Sequence, residues 1–249
     1  MRKMKNKLLT ALLGFFTAIL IITFSIGLPI YFRPFYYAQV DLYIKDEYNS
    51  QAEEWQSWAE KYYKEDEYVK FENLSSDEIK DAYDEVLDYL TIPGNEFGTG
   101  KLPYREWTES HFADCKALFD LNASAFIISA FGVAVLLILN RRRVFELWKP
   151  FKMSITFCSG AYTLAGFAII GGLAALDFDK AFTIFHAIFF PGKENWIFNP
   201  LYDRVILIMP QDFFMNCAIL ILVSIILLCL GCIAYGLIPR LREKLARED

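Results

Sequence analysis

Four stretches of the chain contain no charged residue: Leu8–Phe32, Leu121–Asn140, Met153–Leu176 and Phe213–Pro239, of 25, 20, 24 and 27 residues. About 20 apolar residues rising 1.5 Å each cross a hydrocarbon core of roughly 30 Å, so the pattern predicts four transmembrane helices. The first follows Arg2, Lys3, Lys5 and Lys7, as a signal peptide would. Its apolar part is too long for one, and it leaves through Ile26-Gly27-Leu28-Pro29 with no small-residue cleavage site, so it reads as a retained anchor.

Lysine and arginine set the orientation. The N-terminus carries four, the short link between spans two and three carries Arg141, Arg142, Arg143, Lys149 and Lys152, and the tail carries Arg240, Arg242, Lys244 and Arg247. These three regions share one side, which the rule makes cytoplasmic. The organisation read from the pattern is therefore all-α and membrane-integral, with both termini cytoplasmic. It runs as tail and first span (1–32), extracellular helical region (33–120), second span (121–140), cytoplasmic loop (141–152), third span (153–176), extracellular interfacial segment (177–212), and fourth span with cytoplasmic tail (213–249). The 33–120 region has 9 basic and 21 acidic residues. Tyr31, Tyr36 and Tyr37 fit an aromatic belt at the outer membrane surface.

Within the first outer region, Ser50-Gln51-Ala52-Glu53 has the form of a capping box, followed by Trp55, Trp58, Ala59 and Tyr62 at helical spacing. A second box, Ser75-Ser76-Asp77-Glu78, opens a clearer amphipathic helix. Ile79, Ala82, Tyr83, Val86, Leu87 and Leu90 recur on one face, acidic residues line the other, and Pro93-Gly94 ends it. No breaker separates Tyr104–Phe119 from the second span, so that segment reads as a helix entering the membrane. In the second outer segment, Asp177 or Asp179 opens a helix carrying His186, Pro191-Gly192 breaks it, and an aromatic turn Asn195–Pro200 follows. Asp203–Pro210 reads as a short apolar helix.

Composition narrows the chemistry. Hydrophobic residues are 55% and charged residues 22%, with a net charge of −5. The acidic balance argues against a nucleic-acid partner, which needs a basic face. Five cysteines, an odd number, do not suit a disulfide scaffold, and the single C-x-x-C pair, Cys229–Cys232, lies within the fourth charge-free stretch with no second pair to complete a zinc ribbon. The run Glu65-Asp66-Glu67 lacks the alternating ligands and glycine of a calcium loop. No metal site and no cofactor are expected. The spans hold no Asp, Glu, Lys, Arg or His, the residues that mark an ion or proton path, so chemistry is expected at the outer face.

The chain has two histidines, His111 and His186, and the topology returns both to that face. A histidine among aromatics is often structural. Here, though, no G-x-S-x-G, H-E-x-x-H or other nucleophile motif competes for the role, and a two-histidine site stands beside the structural reading. Asp114, one helical turn from His111, is placed to orient its ring. Cys115 on the same face invites a thiolate reading that rests on adjacency alone.

At these residues the chain resembles the bacterial lipoprotein intramolecular transacylases. The resemblance rests on Arg105-Glu106 with His111 to Lys116, on Asp177-Phe178 with Phe182, Phe185-His186, Phe189 to Gly192 and Trp196 to Phe198, and on Asp203, Ile206, Pro210 and Phe213-Phe214. It covers nearly the whole chain. The family pattern leads one to expect an apolar residue where Cys115 stands, and the charged stretch around Glu53–Tyr68 is not one of its hallmarks.

The resemblance implies an enzyme that moves the sn-2 acyl chain of a lipoprotein's diacylglyceryl group to the α-amine of its N-terminal cysteine, giving the lyso-form. It implies catalytic His111 and His186, with Asp114, Trp196 and Asp203 in support. The partners it implies are a diacylated lipoprotein and membrane lipid, at the extracellular face of a multi-pass protein of the cell membrane. Two other readings remain: an acyltransferase drawing on phospholipid, and a non-enzymatic sensor or assembly factor using the acidic outer helices, in which both histidines are dispensable.

Overall fold

The computed structural model describes residues 1–248, with side chains for residues 1–238; the basic residues expected to mark the tail as cytoplasmic have side chains outside that range. Among the described residues the regular elements are all helices, with no strand. The elements are α1 (Arg2–Tyr31), α2 (Pro34–Gln39), a π-helical turn (Val40–Ile44), α3 (Lys45–Tyr62), α4 (Ser76–Thr91), α5 (Glu106–Arg141), a 3-10 turn (Pro150–Lys152), α6 (Ile155–Leu176), α7 (Phe178–Phe189), α8 (Val205–Ile208) and α9 (Gln211–Glu248). The chain divides into two units, one of Met1–Leu28, Asn122–Asp177 and Ile219–Asp249, the other of Pro29–Leu121 and Phe178–Ala218.

The first unit holds most of the apolar length. Among the described residues four helices are long and apolar enough to cross a membrane: α1, α5, α6 and Gln211–Ile238 of α9. The 22 residues of α6 reach roughly 33 Å. Its packing is helix against helix through small side chains, as expected where lipid removes the hydrophobic drive between helices. A Cβ on Gly160 would stand 2.7 Å from the carbonyl oxygen of Cys229, so only glycine lets these backbones meet. Ser159 Oγ donates to Gly14 O at 3.1 Å, and Ser154 Oγ to Gly236 O at 3.2 Å. Leu13, Leu136 and Phe145 form one small core, and Ile21, Ile225 and Cys229 another. Large apolar side chains such as Phe131, Leu173 and Leu227 stay exposed.

The second unit is built around an aromatic core. Pro34 starts a helical run, as proline suits a first turn whose N–H has no partner. Tyr36, Val40, Ile44, Tyr48 and Ala52 are all buried, at a spacing of four. In a helix of 3.6 residues per turn that spacing drifts around the axis. The wider π turn at Val40–Ile44 brings it back, keeping all five on the core side. Tyr36 stacks on Tyr83 with ring centroids 3.5 Å apart and donates its hydroxyl to Ile208 O at 2.6 Å.

Two sequence expectations are corrected here. Tyr36 is a core residue and not a belt residue; Tyr37, the next residue, is bonded to Asp84 at 2.6 Å. Ser50 does not cap a helix. It lies inside α3, because the helix begun at Pro34 is held by the buried faces of Tyr48 and Ala52 and never breaks there. Asn49 beside it takes a different part, accepting from Leu74 N at 2.8 Å and so tying the 63–75 segment to α3. The Ser75 box is formed: Glu78 N donates to Ser75 Oγ at 3.3 Å, and Ser75 N to Glu78 Oε2 at 3.0 Å. The predicted apolar face of α4, from Ile79 to Leu90, is buried. On its acidic face, Arg33 pairs with Asp84 at 3.1 Å and with Asp88.

Candidate functional site

All the residues singled out for chemistry lie in the second unit. The helix expected over Tyr104–Phe119 is the start of α5. It begins at Glu106 and continues unbroken through the charge-free stretch that begins at Leu121, so His111, Asp114 and Cys115 stand before that stretch. Helix α7 carries His186. Phe190 N closes its end on His186 O at 2.8 Å, and Gly192, with φ of 73°, takes the left-handed turn that a side chain would resist. The reversal sends Asn195–Phe198 back over the histidines. Trp107 Nε1, donating to Glu194 O at 3.2 Å, fastens this turn to α5.

The two histidines come together. Their ring centroids are 5.9 Å apart and the ring planes 27° from parallel, and both side chains are buried. His111 lies against the edges of Phe190 and Phe198, at 5.0 and 5.5 Å. His186 is held between Phe182 and Trp196, whose centroids are 4.3 and 4.4 Å away. Trp196 Nε1 donates to Lys193 O at 3.1 Å, which fixes the indole on the imidazole face.

His186 Nδ1 stands 2.7 Å from Phe182 O. A carbonyl only accepts, so Nδ1 carries the proton and Nε2 keeps its lone pair. Burial drives the His186 pKa below its usual value, against the opposing pull of that carbonyl. Burial likewise takes His111 down to about 4, with His186 beside it adding to the shift and Asp114 opposing it. Both rings are therefore neutral at pH 7. Cys115 Sγ lies 3.4 Å from His111 Nε2, and burial raises the thiol to about 12. It is a protonated donor resting on the imidazole, not a thiolate.

Asp114 does not touch His111. Its Oδ1 pairs with Lys193 Nζ at 2.5 Å, and its Oδ2 accepts from Asn195 Nδ2 at 3.1 Å. Burial disfavours its charge, but these two donors outweigh that and hold the carboxyl ionised, below its usual pKa. The direct orienting contact expected from spacing is not made, because a pairing lysine arrives from the 193–196 turn. Asp203 is hydrogen-bonded to neither ring. It is fully buried, accepts from Arg105 Nε at 3.1 Å and Thr108 Oγ1 at 2.5 Å, and so joins the turn before α8 to the start of α5. Among the described residues no group of three His, Cys, Asp or Glu is placed to hold a metal ion.

Asn195, Phe182, Phe190 and Phe198 complete the surroundings of the rings, and sequence reasoning gave them no role. Phe182, Phe190 and Phe198 stand among the residues that carry the family resemblance, and Asn195 was legible only as the start of the aromatic turn.

The comparisons agree with this arrangement of helices. No curated protein matches the chain. Its fold is similar to that of the membrane-integral lipoprotein intramolecular transacylase Lit from Bacillus cereus, with a TM-score of 0.75 and 22% identity over 96% of this chain and 97% of that one. Two variants of the Bacillus cereus protein, with a histidine replaced by arginine or by alanine, give TM-scores of 0.70 and 0.69 at 21% and 20% identity. They cover 97% and 94% of this chain and 94% of each of theirs. The family model for the lipoprotein intramolecular transacylase Lit matches residues 11–214, a range that contains both histidines and the aromatic turn. The chain therefore belongs to the lipoprotein intramolecular transacylase family Lit.

Proposed function

We propose that this chain moves the sn-2 acyl group of a diacylglyceryl lipoprotein onto the α-amine of the same lipoprotein's N-terminal cysteine, with His111 and His186 handling the protons at the extracellular face of the membrane. The observation that carries the reading is the pair itself: two buried, neutral imidazoles, ring centroids 5.9 Å apart, among aromatic side chains.

Nucleophile and ester sit in one substrate, so the enzyme need supply no acyl-accepting side chain. Holding them in attack geometry contributes up to about 7–11 kcal/mol. The α-ammonium, with a solution pKa of roughly 7.7–8.0, loses one proton to become nucleophilic. The amine attacks the sn-2 carbonyl, a C–N bond forms, and the C–O bond to glycerol breaks. A second nitrogen proton reaches the departing glyceryl oxygen, so the products are an amide, an alcohol and one released proton. Histidines serve both transfers, and general acid–base catalysis of this kind contributes about 10²–10⁴-fold. A ring with a pKa near 4 is a weak base toward an ammonium in water, but burial lowers the ammonium's pKa by the same mechanism, which narrows the gap. Ile184, Phe185, Ile188 and Phe189, exposed or half-buried along α7 beside His186, offer an apolar path for the acyl chain.

The test is mass spectrometry of a reporter lipoprotein whose sn-2 chain carries an isotopic label, in cells with and without this protein. Label on the cysteine nitrogen with a monoacylglyceryl thioether is the expected product. Unlabelled N-acyl chains would instead favour a phospholipid donor. The orientation is checked separately: Asp81→Cys should react with an impermeant thiol reagent in intact cells, and labelling only after lysis would place the histidines on the cytoplasmic side.

A further inference from the structure

We propose that Asn195 is a positioning residue that fixes His111 in the Nδ1–H tautomer, leaving Nε2 as its base nitrogen, and that Asp114 acts on His111 through Asn195. The inference rests on the functional reading above. It is carried by two buried polar atoms that lack a hydrogen-bond partner, His111 Nδ1 and Asn195 Oδ1, on side chains near enough for Asn195 to act on the ring.

Lys193 on Oδ1 keeps Asp114 ionised, and an ionised carboxylate only accepts. The Asn195 amide must therefore turn its NH2 toward Asp114, where Nδ2 donates at 3.1 Å, with Ser110 Oγ at 3.3 Å as a second contact. That choice leaves Oδ1, a pure acceptor, as the other end of the amide. Asn195 and His111 are both buried, so water is largely kept from either atom. Left unmet, each buried polar group is costly; a proton on Nδ1 lets the ring donate to Oδ1 and satisfies both. The Asn195 side chain does act on this ring, raising its affinity for a proton.

On the opposite edge, Cys115 Sγ lies 3.4 Å from Nε2. A protonated thiol can donate to a bare nitrogen, so this contact is compatible with the same tautomer. His186 reaches that state through Phe182 O. The two rings would then present the same nitrogen to the substrate, one set by a backbone carbonyl and the other by a carboxylate–amide relay. An incoming amine takes the place of the thiol proton at Nε2.

Because the chain has two histidines, the tautomer is directly readable. Long-range proton–nitrogen correlation spectra of the 15N-histidine-labelled full-length protein in lipid nanodiscs give two ring systems, assigned by the loss of one in His186→Gln. At pH 7 the wild-type His111 should show a protonated Nδ1 and a bare Nε2; a predominant Nε2–H form would overturn the proposal outright. Asn195→Ala should shift His111 toward a mixture of tautomers and lower kcat about three- to tenfold, the fold-change of one neutral hydrogen bond, with KM little changed. Asn195→Asp, which repels Asp114 and adds a charge beside His111, should move the acidic limb of the pH–rate profile upward. The other groups facing that ring are His186, Cys115 and Lys193. If Asn195→Ala fails to accumulate, Asp114→Asn is read in its place, since it releases the amide at nearly constant volume. An unchanged tautomer and kcat in the variant, beside an inactive His111→Ala, would sink the relay and leave the two-histidine chemistry standing. Full activity of His111→Ala would instead sink the functional reading.

Discussion

The two units of this chain follow opposite packing rules. In the unit of long apolar helices, contacts inside run through glycine and serine, as at Gly160 and Ser159, while bulky Phe131 and Leu227 stay uncovered. In the unit that carries the histidines, the bulky residues are inside, with Tyr36 on Tyr83, and the acidic side chains of α4 face out. The first arrangement suits lipid, where apolar surface needs no covering; the second suits water. Every buried charged side chain in the described residues, Asp203 and Arg204, belongs to the second unit. The proposed chemistry is placed there too, since a neutral imidazole held by hydrogen bonds needs polar neighbours that lipid-facing helices do not supply.

One of the two largest expected effects comes from removing a buried charge in the second unit. Asp203→Ala leaves Arg105 and Thr108 without their acceptor and should cost about 3 kcal/mol, read as a lowered thermal midpoint of the purified protein. The Asp203 carboxyl is costly to bury, but Arg105, Thr108 and the Asn199 N–H hold its pKa below the usual value. Its stabilisation is thus complete above the unfolded carboxyl's pKa and fades as pH falls through the folded value. Wild type should therefore lose stability in acid more steeply than Asp203→Asn.

A matched pair of exposed leucines sharpens the contrast between the units. Leu227 of α9 and Leu42 of the π turn are 64% and 76% exposed, so surface area alone predicts the same outcome for both. Leu227→Asp places a charge within a membrane span and should cost about 2.5–3.5 kcal/mol, seen as lost protein in the membrane fraction. Leu42→Asp should stay within about 0.5 kcal/mol. Equal tolerance at both positions would break the two-solvent account.

The smallest effect tests local structure. Ser75→Ala removes the Ser75 cap of α4 and should cost about 1 kcal/mol, whereas Ser50→Ala, inside α3, should be near neutral. Thermal denaturation of the two variants side by side separates a formed box from one that exists only as a sequence pattern.

That pair also shows what the sequence makes legible. Charge-free length and the 3.6-residue periodicity of Ile79–Leu90 are local properties, and the helices follow from them. Ser50 and Ser75 carry the same local signal. What separates them is the core contact of Tyr48 and Ala52, which no short window contains. At the site, topology could send both histidines toward one face but could not give their separation. Trp196 against His186, Lys193 on Asp114 and Asn195 beside His111 depend on a reversal at Gly192, so they join residues about 80 positions apart or across a turn. Asp114 was legible as a neighbour of His111 by helical spacing, but the partner it takes was not.

The central claim is that His111 and His186 act as one proton-handling site. Its most direct test is mass spectrometry of a reporter lipoprotein in cells expressing His111→Ala, His186→Ala or the double variant, with membrane-fraction levels matched by immunoblot. Each single variant should abolish conversion to the lyso-form, and the double should be hardly worse than either, because residues that act as a unit are strongly non-additive. Wild-type conversion by either single variant at equal protein level would contradict the claim.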